Sequence, residues 1–283
     1  MTDLDLLSTA DVVGALLDGE ARVLPAVRAA QPRIAAAADL VADRMRRGGR
    51  LALVGAGTSG RLAVLQAAEL PGTFGLARDR VTGLTAGGPS GTDADEDDAD
   101  AGRRDAAGLG LGDADALLAV AASGRTPYTL AIADVAATAG TAVIAVTTTV
   151  PSPLADRADV AIEVPIGPEV LRGSTRLAAG SAQKLVLDAL TTAAMVRLGR
   201  VHGNLMVDVV PANAKLRERS AGLIAEIVGA PVAAARDALA RCDDNARAAV
   251  LHLLAGLPPA EAARRAAEHA SLREAIAASA VGV

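Results

Sequence analysis

The sequence predicts an α/β fold, in which a parallel sheet flanked by helices is followed by a small all-helical carboxy-terminal bundle. Five short apolar runs do not alternate with polar residues, which is typical of strands buried on both faces. Helical patterns separate these runs, and repeated strand, helix, strand order predicts a parallel sheet with right-handed crossovers. After Pro211 only helical patterns remain. We therefore expect helices over 1–48 that pack on a sheet domain over 49–214, and a helical subdomain over 215–283.

Two helical patterns open the chain, over 8–18 and 22–47. Ser8 and Thr9 can cap the first of them with a side-chain oxygen. Apolar residues recur at helical spacing through the second, and its two prolines delay or kink it. The chain is therefore expected to be helical before the first strand begins.

The sheet is predicted from apolar runs of strand length. These runs are LALV (51–54), VTGLTA (81–86), ALLAVAA (116–122), TAVIAVTTT (141–149) and DVAIEV (159–164). The helical patterns between them cover 59–70, 91–107 and 127–139. A further helical pattern over 174–198 is long and nearly apolar, so we expect it to pack on the sheet or on a second subunit, with Ser174 or Thr175 as its cap.

Composition and charge exclude several classes of function. The formal charge of −5 gives no general attraction to nucleic acid or to anionic lipid. Trp is absent and Phe74 and Tyr128 are the only aromatic residues, which excludes aromatic platforms for single-stranded nucleic acid. Cys242 has no partner for an internal disulfide, the amino terminus is acidic where a signal peptide is basic, and the apolar runs are too short to span a bilayer. We expect a cytoplasmic protein with neither a nucleic-acid nor a membrane partner.

The first predicted strand runs into a glycine-rich loop, GAGTSGRL (55–62). Its glycines let the backbone approach a ligand, and Thr58 and Ser59 add hydroxyl groups where a helix begins, so free amides and the helix dipole favour an anion there. The loop also satisfies the dinucleotide pattern GxGxxG. That pattern needs an acidic residue after the second strand, where this chain has TAGG, so NAD binding ranks below phosphate binding.

A second loop, SGRTPY (123–128), repeats the same arrangement after another strand. Ser123, Gly124 and Thr126 precede a helix start, and Pro127 suits the first helical turn. Loops at the carboxyl ends of parallel strands meet in one crevice, so the pair predicts a phosphate-binding site. The alternative is that both are ordinary capped turns between a strand and a helix.

Glu69 lies near the end of the helix that begins at the first loop, and Pro71 is expected to break that helix just afterwards. Its neighbours in AAELPGTFG are largely apolar, which would desolvate the carboxylate in part and suit it to exchange a proton near neutrality. The alternative, which the sequence alone favours, is a solvated glutamate at a helix end.

An acidic run, DADEDDAD (93–100), carries six carboxylates. Such a run is usually a solvated helix amino terminus, where negative charge complements the helix dipole and Thr92 or Asp93 can act as the cap. A member that points inward would hold a proton more readily, because the negative charges of its neighbours disfavour its ionised form. The residues by themselves do not select which member that is.

Two polar stretches interrupt the apolar helices, GPEVLRGSTR (167–176) and VHGNLMVDVVPANAKL (201–216). Their Arg176 and Lys215 can hold a phosphate or simply line a surface. The three histidines are far apart in the sequence without the spacing of metal ligands, so no metal site is expected.

Together these motifs resemble the N-acetylmuramic acid 6-phosphate etherase family. The resemblance extends over roughly 5–283 and rests on GAGTSGRL, AELPGTFG, the acidic run, AASGRTPY, GPEVLRGSTR, AGSAQK and RLGRVHGNLMVDV with NAKL. It implies a parallel-sheet sugar isomerase (SIS) domain with a helical tail, a sugar-phosphate ligand, and a homodimer with active sites shared between subunits. It also implies that neither a cofactor nor a metal takes part.

The reaction that the resemblance implies removes D-lactate from C3 of the open-chain sugar by elimination, after which water adds. By motif position, Glu69 resembles the acid that protonates the departing lactate, and Glu96 resembles the base at C2. The residues that resemble the family's sugar-phosphate contacts are Gly57, Thr58, Ser59, Ser123, Gly124, Thr126 and Lys215. Both aromatic residues also lie in these motifs, so we expect both rings to line the crevice.

The chain departs from the family pattern at Leu177 and Ala178, where Met-Lys is usual, and at Ala214, where glutamate is usual. The family also carries a short arm before DLDLLST, and this sequence starts almost at that point. These departures keep two alternatives open, an aldose-ketose isomerase of amino-sugar phosphates and a non-catalytic sugar-phosphate sensor. The isomerase needs the base at C2 but no acid for a leaving group.

Overall fold

The computed structural model describes residues 3–280, and its centre is a five-stranded parallel sheet. The strands are β1 (Leu51–Gly55), β2 (Val81–Thr85), β3 (Ala116–Val120), β4 (Ala142–Thr147) and β5 (Val160–Glu163). Their order across the sheet is β2-β1-β3-β4-β5, and every neighbouring pair is parallel. The five predicted strands and the parallel sheet are confirmed.

Burial explains why the strand sequences do not alternate. Every residue of β1, β3 and β4 is buried, because these central strands are covered on both faces. The two edge strands, β2 and β5, are only partly buried. The chain covers the sheet almost entirely with Ala, Val, Leu and Ile side chains.

Seven α-helices lie before residue 198 in the described chain, and several of them differ from the prediction. They are α1 (Thr9–Glu20), α2 (Val23–Ala29), α3 (Gln31–Arg46), α4 (Gly57–Phe74), α5 (Ala99–Leu109), α6 (Pro127–Thr138) and α7 (Ala178–Arg197). The helix predicted over 22–47 is divided at Ala30, because Pro32 is tolerated only in the first turn of a new helix. The break predicted at Pro71 is wrong, since α4 continues through it to Phe74.

The acidic run also begins differently from the prediction. Instead of one helix over 91–107, a 3₁₀ turn (Asp93–Asp97) precedes α5, and each has its own cap. The Thr92 backbone amide donates to the Asp95 carboxylate at 2.6 Å, and the Asp98 carboxylate accepts from the Ala101 amide at 2.7 Å. The predicted cap at Thr92 is confirmed for the 3₁₀ turn, whereas α5 is capped by Asp98.

The carboxy-terminal part is helical, as predicted. Its helices are α8 (Ala214–Val228), α9 (Val232–Arg241), α10 (Ala246–Ala255), α11 (Pro259–Glu268) and α12 (Leu272–Ala280). Their inner faces form an apolar core of their own, largely of alanine, valine and leucine. A buried ion pair supports this part: the Arg247 guanidinium donates to both oxygens of Asp208 at 2.5 and 2.6 Å, and Arg200 donates to the same carboxylate at 3.2 Å.

The described chain divides into two compact units. One comprises the residues up to Ala68 together with Asp79–Ala193, and the other comprises Glu69–Arg78 together with the residues from Ala194 onward. The domain boundaries at 48 and 214 stay a prediction, and residues 1–2 and 281–283 of the predicted outer segments lie outside the described residues. Over 3–280, no helix combines the length and the apolar character that crossing a membrane requires.

Candidate functional site

A cavity of about 640 Å³ lies in the unit that contains the sheet. Its walls include the loops that follow β1 and β3, whose last residues Gly55 and Val120 are paired in the sheet. The chain order of the strands reverses between β1 and β3, the place where open α/β sheets bind ligands. The lining residues are Ala56, Gly57, Thr58, Ser59, Arg61, Glu96, Asp97, Ala122, Ser123, Arg125, Thr126, Pro127, Gly173, Ser174, Thr175 and Arg176.

The first loop is held close to two strands by a glycine. A Cβ on Gly60 would lie 2.7 Å from the Gly55 carbonyl oxygen and 2.7 Å from the Thr85 Cβ, so only glycine lets α4 begin this close to β1 and β2. This approach places the start of α4 at the cavity, where Thr58 and Ser59 line the wall. The first helical turn therefore presents hydroxyl groups and unpaired amides to a ligand.

The second loop turns at Gly124, which adopts a positive φ of 62°. A Cβ at this position would lie 2.6 Å from the Ser152 hydroxyl oxygen, so the backbone conformation and the packing both require glycine. Ser123 accepts a hydrogen bond from the Arg125 amide at 3.2 Å, and Thr126 immediately precedes α6. Gly124 thus shapes the turn, while Ser123 and Thr126 line the cavity on either side of it.

The acidic run contributes two carboxylates to the cavity, Glu96 and Asp97. Asp95 is occupied elsewhere, because hydrogen bonds from the Thr92 backbone and side chain hold it and lower its pKa. Asp98 is occupied as the cap of α5. The structure therefore separates the run into members that stabilise helix starts and members that face the cavity, which the sequence pattern could not do.

Three of the predicted catalytic and binding residues, Glu69, Gly124 and Lys215, are absent from the lining of this cavity. Glu69 is exposed on α4, and Lys215 is exposed in the first turn of α8. Among the residues predicted to contact substrate or to act in catalysis, those that the structure does bring together are Gly57, Thr58, Ser59, Glu96, Ser123 and Thr126. Their roles in binding and catalysis stay predictions.

Three arginines line the cavity, Arg61, Arg125 and Arg176, and only Arg176 was selected from the sequence as a residue that can hold a phosphate. Arg61 follows Thr58 by three residues on α4, so helical spacing could have placed it on the same face. Arg125 lies inside the second loop, between the two hydroxyl residues already selected. Their guanidinium groups make the cavity wall suitable for anions despite the negative charge of the whole chain.

The cap predicted for the long helix is wrong. α7 begins at Ala178, and its first amides are satisfied by the Glu169 carboxylate, which accepts from Ala178 at 3.2 Å and from Ala179 at 2.9 Å. A carboxylate at a helix amino terminus also complements the helix dipole. Ser174 and Thr175, which were expected to cap the helix, line the cavity instead.

The aromatic residues do not both line the crevice, so that prediction is wrong. Tyr128 is completely buried, and its hydroxyl donates to the Asp105 carboxylate at 2.7 Å. Burial and this hydrogen bond raise the pKa of the Tyr128 hydroxyl, which therefore stays protonated. Phe74 is buried at the end of α4. Tyr128 stabilises the packing of α6 on α5.

The fold and the cavity define a class of protein, the SIS domain. Two family models described as "SIS domain" match residues 18–148 and 104–193. A phosphoheptose isomerase from Francisella tularensis shares the fold, with a TM-score of 0.53 and 20% identity over 67% of this chain and all of its own. A phosphoheptose isomerase from Neisseria gonorrhoeae has a TM-score of 0.51 and 18% identity, over 66% of this chain and 98% of its own.

Curated relatives narrow the class. N-acetylmuramic acid 6-phosphate etherases from Rubrobacter xylanophilus and Streptomyces avermitilis are 47% and 46% identical to this chain. These matches cover 94% and 99% of this chain and 89% and 91% of the relatives. The etherase from Yersinia pestis is 44% identical over 94% of this chain and 92% of its own. The chain belongs to the N-acetylmuramic acid 6-phosphate etherase family.

Proposed function

We propose that the protein is an N-acetylmuramic acid 6-phosphate etherase that acts in amino-sugar recycling from peptidoglycan. It is a carbon–oxygen lyase that needs no cofactor, and it converts its substrate to N-acetylglucosamine 6-phosphate and D-lactate. The family membership supports this activity. The structural observation that carries the proposal is that Glu96 lines the same cavity as the hydroxyl residues of both loops.

The cavity suits a ligand with two anionic groups. The substrate carries a phosphate at C6 and a carboxylate on its lactyl group. Hydroxyl groups and helix amides at the two loops suit the phosphate oxygens, which only accept hydrogen bonds when fully ionised. The three arginines add positive charge for both groups, since guanidinium pairs well with phosphate and with carboxylate. Of the two carboxylates in this lining, Glu96 is the one that we assign to the chemistry.

The reaction is an elimination followed by a hydration. In the open-chain aldehyde the C2 proton is acidic because the carbonyl stabilises the resulting enolate, and Glu96 removes this proton. The electron pair then forms the C2–C3 double bond as the C3–O bond breaks, and Glu69 donates a proton to the departing lactate oxygen. Water adds its oxygen at C3 and a proton at C2, so there is no net oxidation.

We propose further that the enzyme is a homodimer with shared active sites, in which Glu69 of one protomer serves the cavity of its partner. Glu69 follows Ser59 by ten residues on the same helix, a separation of roughly 15 Å at 1.5 Å per residue. A general acid must lie about 3 Å from the atom it protonates. Exposed Glu69 is therefore far from the loop of its own chain but accessible to a second copy.

The activity is tested by incubating the full chain with N-acetylmuramic acid 6-phosphate and assaying D-lactate. Stoichiometric release of D-lactate and N-acetylglucosamine 6-phosphate is expected. Absence of lactate at high enzyme concentration would overturn the proposal, and interconversion of an aldose and a ketose phosphate instead would establish the isomerase alternative.

The two catalytic roles are separated by isotope exchange in D₂O. Glu69→Gln is expected to abolish lactate release while C2 still exchanges with deuterium, because proton abstraction does not need the leaving-group acid. Glu96→Gln is expected to lose both. Asp97→Asn is the matched control, since it neutralises the neighbouring carboxylate in the same cavity wall and should keep both. Loss of exchange in Glu69→Gln with retention in Glu96→Gln would reverse the assignment.

The shared site is tested by mixing the two inactive variants. Hybrid dimers of Glu69→Gln and Glu96→Gln protomers contain one site with both carboxylates if those carboxylates come from different chains. Recovered lactate release upon mixing is therefore expected. No recovery, with exchange of subunits demonstrated, would show that each site takes both carboxylates from one chain.

A further inference from the structure

The motif AGSAQK lies on α7 and packs against the first loop. Gly180 faces Thr58: a Cβ at Gly180 would lie 3.5 Å from the Thr58 Cγ2, so α7 passes close to the cavity wall at this point. One helical turn later, Gln183 lies behind Ser59 and is only 1% exposed. The function proposed above gives this buried glutamine no role.

Ser59 and Gln183 share one hydrogen bond. The Ser59 hydroxyl donates to the Gln183 Oε1 at 3.0 Å, and Ser59 itself is 8% exposed at the cavity wall. The Gln183 Nε2 is buried and has no hydrogen-bond partner among the described residues. A buried amide donor without a partner is destabilising, so native structures rarely keep one without a reason.

The other buried glutamine between α4 and α7 is different. The Gln66 Nε2 donates to the Thr191 hydroxyl at 2.7 Å, and its Oε1 accepts from the Lys184 ammonium at 3.5 Å. Both ends of the Gln66 amide are therefore used within the protein. Of these two glutamines between α4 and α7, only the one beside the cavity, Gln183, has an amide donor without a partner among the described residues.

A terminal amide has two orientations of the same shape, which exchange its oxygen and its NH₂ group. With Oε1 toward Ser59, the serine proton is held by Gln183 and points away from the cavity. With Nε2 toward Ser59, the amide donates to the Ser59 oxygen, and the hydroxyl proton is released toward the cavity. A phosphate dianion offers only acceptors, so it can bond to Ser59 only in the second arrangement.

We propose that Gln183 is a positioning residue that turns its amide to donate to Ser59 when a sugar phosphate binds, so that the Ser59 hydroxyl donates to the phosphate. The inference rests on the proposed function only in taking a sugar phosphate as the ligand. The reorientation gives the buried Nε2 a partner and leaves the Oε1 unpaired in its place, and an unpaired buried acceptor is less unusual than an unpaired buried N–H. The chain from Nε2–H through the Ser59 Oγ–H to a phosphate oxygen then aligns successive donors toward the anion.

Two substitutions at this position distinguish positioning from packing. Gln183→Glu keeps the shape but replaces the amide with a group that only accepts while ionised, so it holds the Ser59 proton away from the phosphate. Gln183→Met keeps the side-chain volume but offers no strong acceptor, so the Ser59 hydroxyl is free to donate to the phosphate. Positioning therefore predicts that the isosteric variant is the more damaging one, whereas a packing role predicts the reverse.

Binding is measured by calorimetry on the full chain with N-acetylglucosamine 6-phosphate and with N-acetylglucosamine. For Gln183→Glu we expect the Kd of the phosphorylated sugar to rise about 10- to 100-fold, the range for losing a hydrogen bond to a charged group, with no matching change for the neutral sugar. Gln183→Met loses the amide donor but leaves the Ser59 proton free, so its Kd should rise by clearly less than that of Gln183→Glu. A loss in Gln183→Met as large as that in Gln183→Glu would overturn the proposal.

A double-mutant cycle separates the hydrogen bond from the repulsion between the new carboxylate and the phosphate. In a Ser59→Ala background, Gln183→Glu should have little further effect, because its action passes through the serine proton. A full additional loss in that background would show repulsion alone and overturn the inference. Gln66→Met is the control for disturbing the same interface, and it should lower the melting temperature without selective loss of the phosphorylated sugar.

These binding measurements do not depend on catalysis. If no variant releases lactate but the Gln183 pattern is present, the proposed reaction fails and the positioning role stands. If lactate is released normally by both Gln183 variants with unchanged KM and unchanged Kd, the positioning role fails and the reaction stands.

Discussion

Gly60→Ala tests how the first loop is held at the cavity. The added Cβ would meet the Gly55 carbonyl oxygen and the Thr85 Cβ, each at 2.7 Å, and the Thr85 hydroxyl at a still shorter distance. The hydroxyl can rotate away, but the other two atoms are fixed by strands β1 and β2. α4 must therefore move away from the sheet by several tenths of an ångström.

The expected cost follows from two opposing effects. Overpacking of this kind destabilises proteins by about 1–3 kcal/mol, and alanine gains back up to about 1 kcal/mol over glycine inside a helix. Because rigid backbone forms most of the contact, we expect a net loss at the upper end, about 2 kcal/mol. For a chain of this size that corresponds to a melting temperature lower by roughly 4–8 °C.

Gly72→Ala is the matched control on the same helix. A Cβ at Gly72 has no heavy atom within 4 Å, so the substitution meets open space. Helix propensity alone then predicts a change between zero and about 1 kcal/mol of added stability. The same chemical change at two positions of α4 should therefore have opposite signs.

Thermal unfolding with circular dichroism measures both variants, and calorimetry with N-acetylglucosamine 6-phosphate measures the site. Gly60→Ala should also weaken binding of the phosphorylated sugar, because the displaced helix start carries Thr58 and Ser59. Equal melting temperatures for Gly60→Ala and Gly72→Ala would refute the reasoning. It would mean that the close approach of α4 to β1 and β2 has no energetic role.

Three further predictions concern buried polar groups. Burial would raise the pKa of the Asp115 carboxyl, but hydrogen bonds from Arg50 and from a backbone amide outweigh it and lower this pKa below 3.8. The ionised Asp115 carboxylate therefore stabilises the fold fully above that value, and this stabilisation is lost as the pH falls below it. In urea titrations, the difference in unfolding free energy between the parent protein and Asp115→Asn should shrink below about pH 4. A constant difference from pH 6 to 3 would contradict this. Arg247→Met leaves the Asp208 carboxylate with one weaker guanidinium partner and should cost about 3 kcal/mol by urea unfolding, and a cost under about 1 kcal/mol would show that the pair is not stabilising. Tyr128→Phe removes a buried donor to a carboxylate and should cost about 1.5–3 kcal/mol, observed as a lower melting temperature, whereas an unchanged melting temperature would mean that the hydrogen bond contributes no net stability.

Much of the fold was predictable because its signals are local. A strand buried on both faces needs a continuous apolar run, and the runs beginning at 51, 116 and 141 became the three central strands. The predicted cap at Ser8 is confirmed, since its side chain accepts from the Asp11 amide three residues later. Signals of this kind extend over at most a few residues, so they can be recognised without knowing the rest of the structure.

Two of the errors concern the ends of helices. Ser174 and Thr175 were reasonable caps for the long helix, but Glu169 supplies its carboxylate from nine residues before the first bonded amide. Pro71 was expected to end α4, yet the helix continues for three more residues. In both cases a plausible local signal did not decide the outcome.

The candidate site shows the same division. The sequence by itself determined that two hydroxyl-bearing loops follow buried strands, because each loop is a short motif attached to a strand signal. The sequence also predicted that the two loops meet in one crevice. Only the tertiary structure decided that Asp97 and the stretch 173–176, which are distant in sequence, line it together with Glu96. It also showed that Asp95 and Asp98 are occupied as caps. The physical reason is that a cavity is formed by the order in which parallel strands assemble, and no local pattern along the chain records that order.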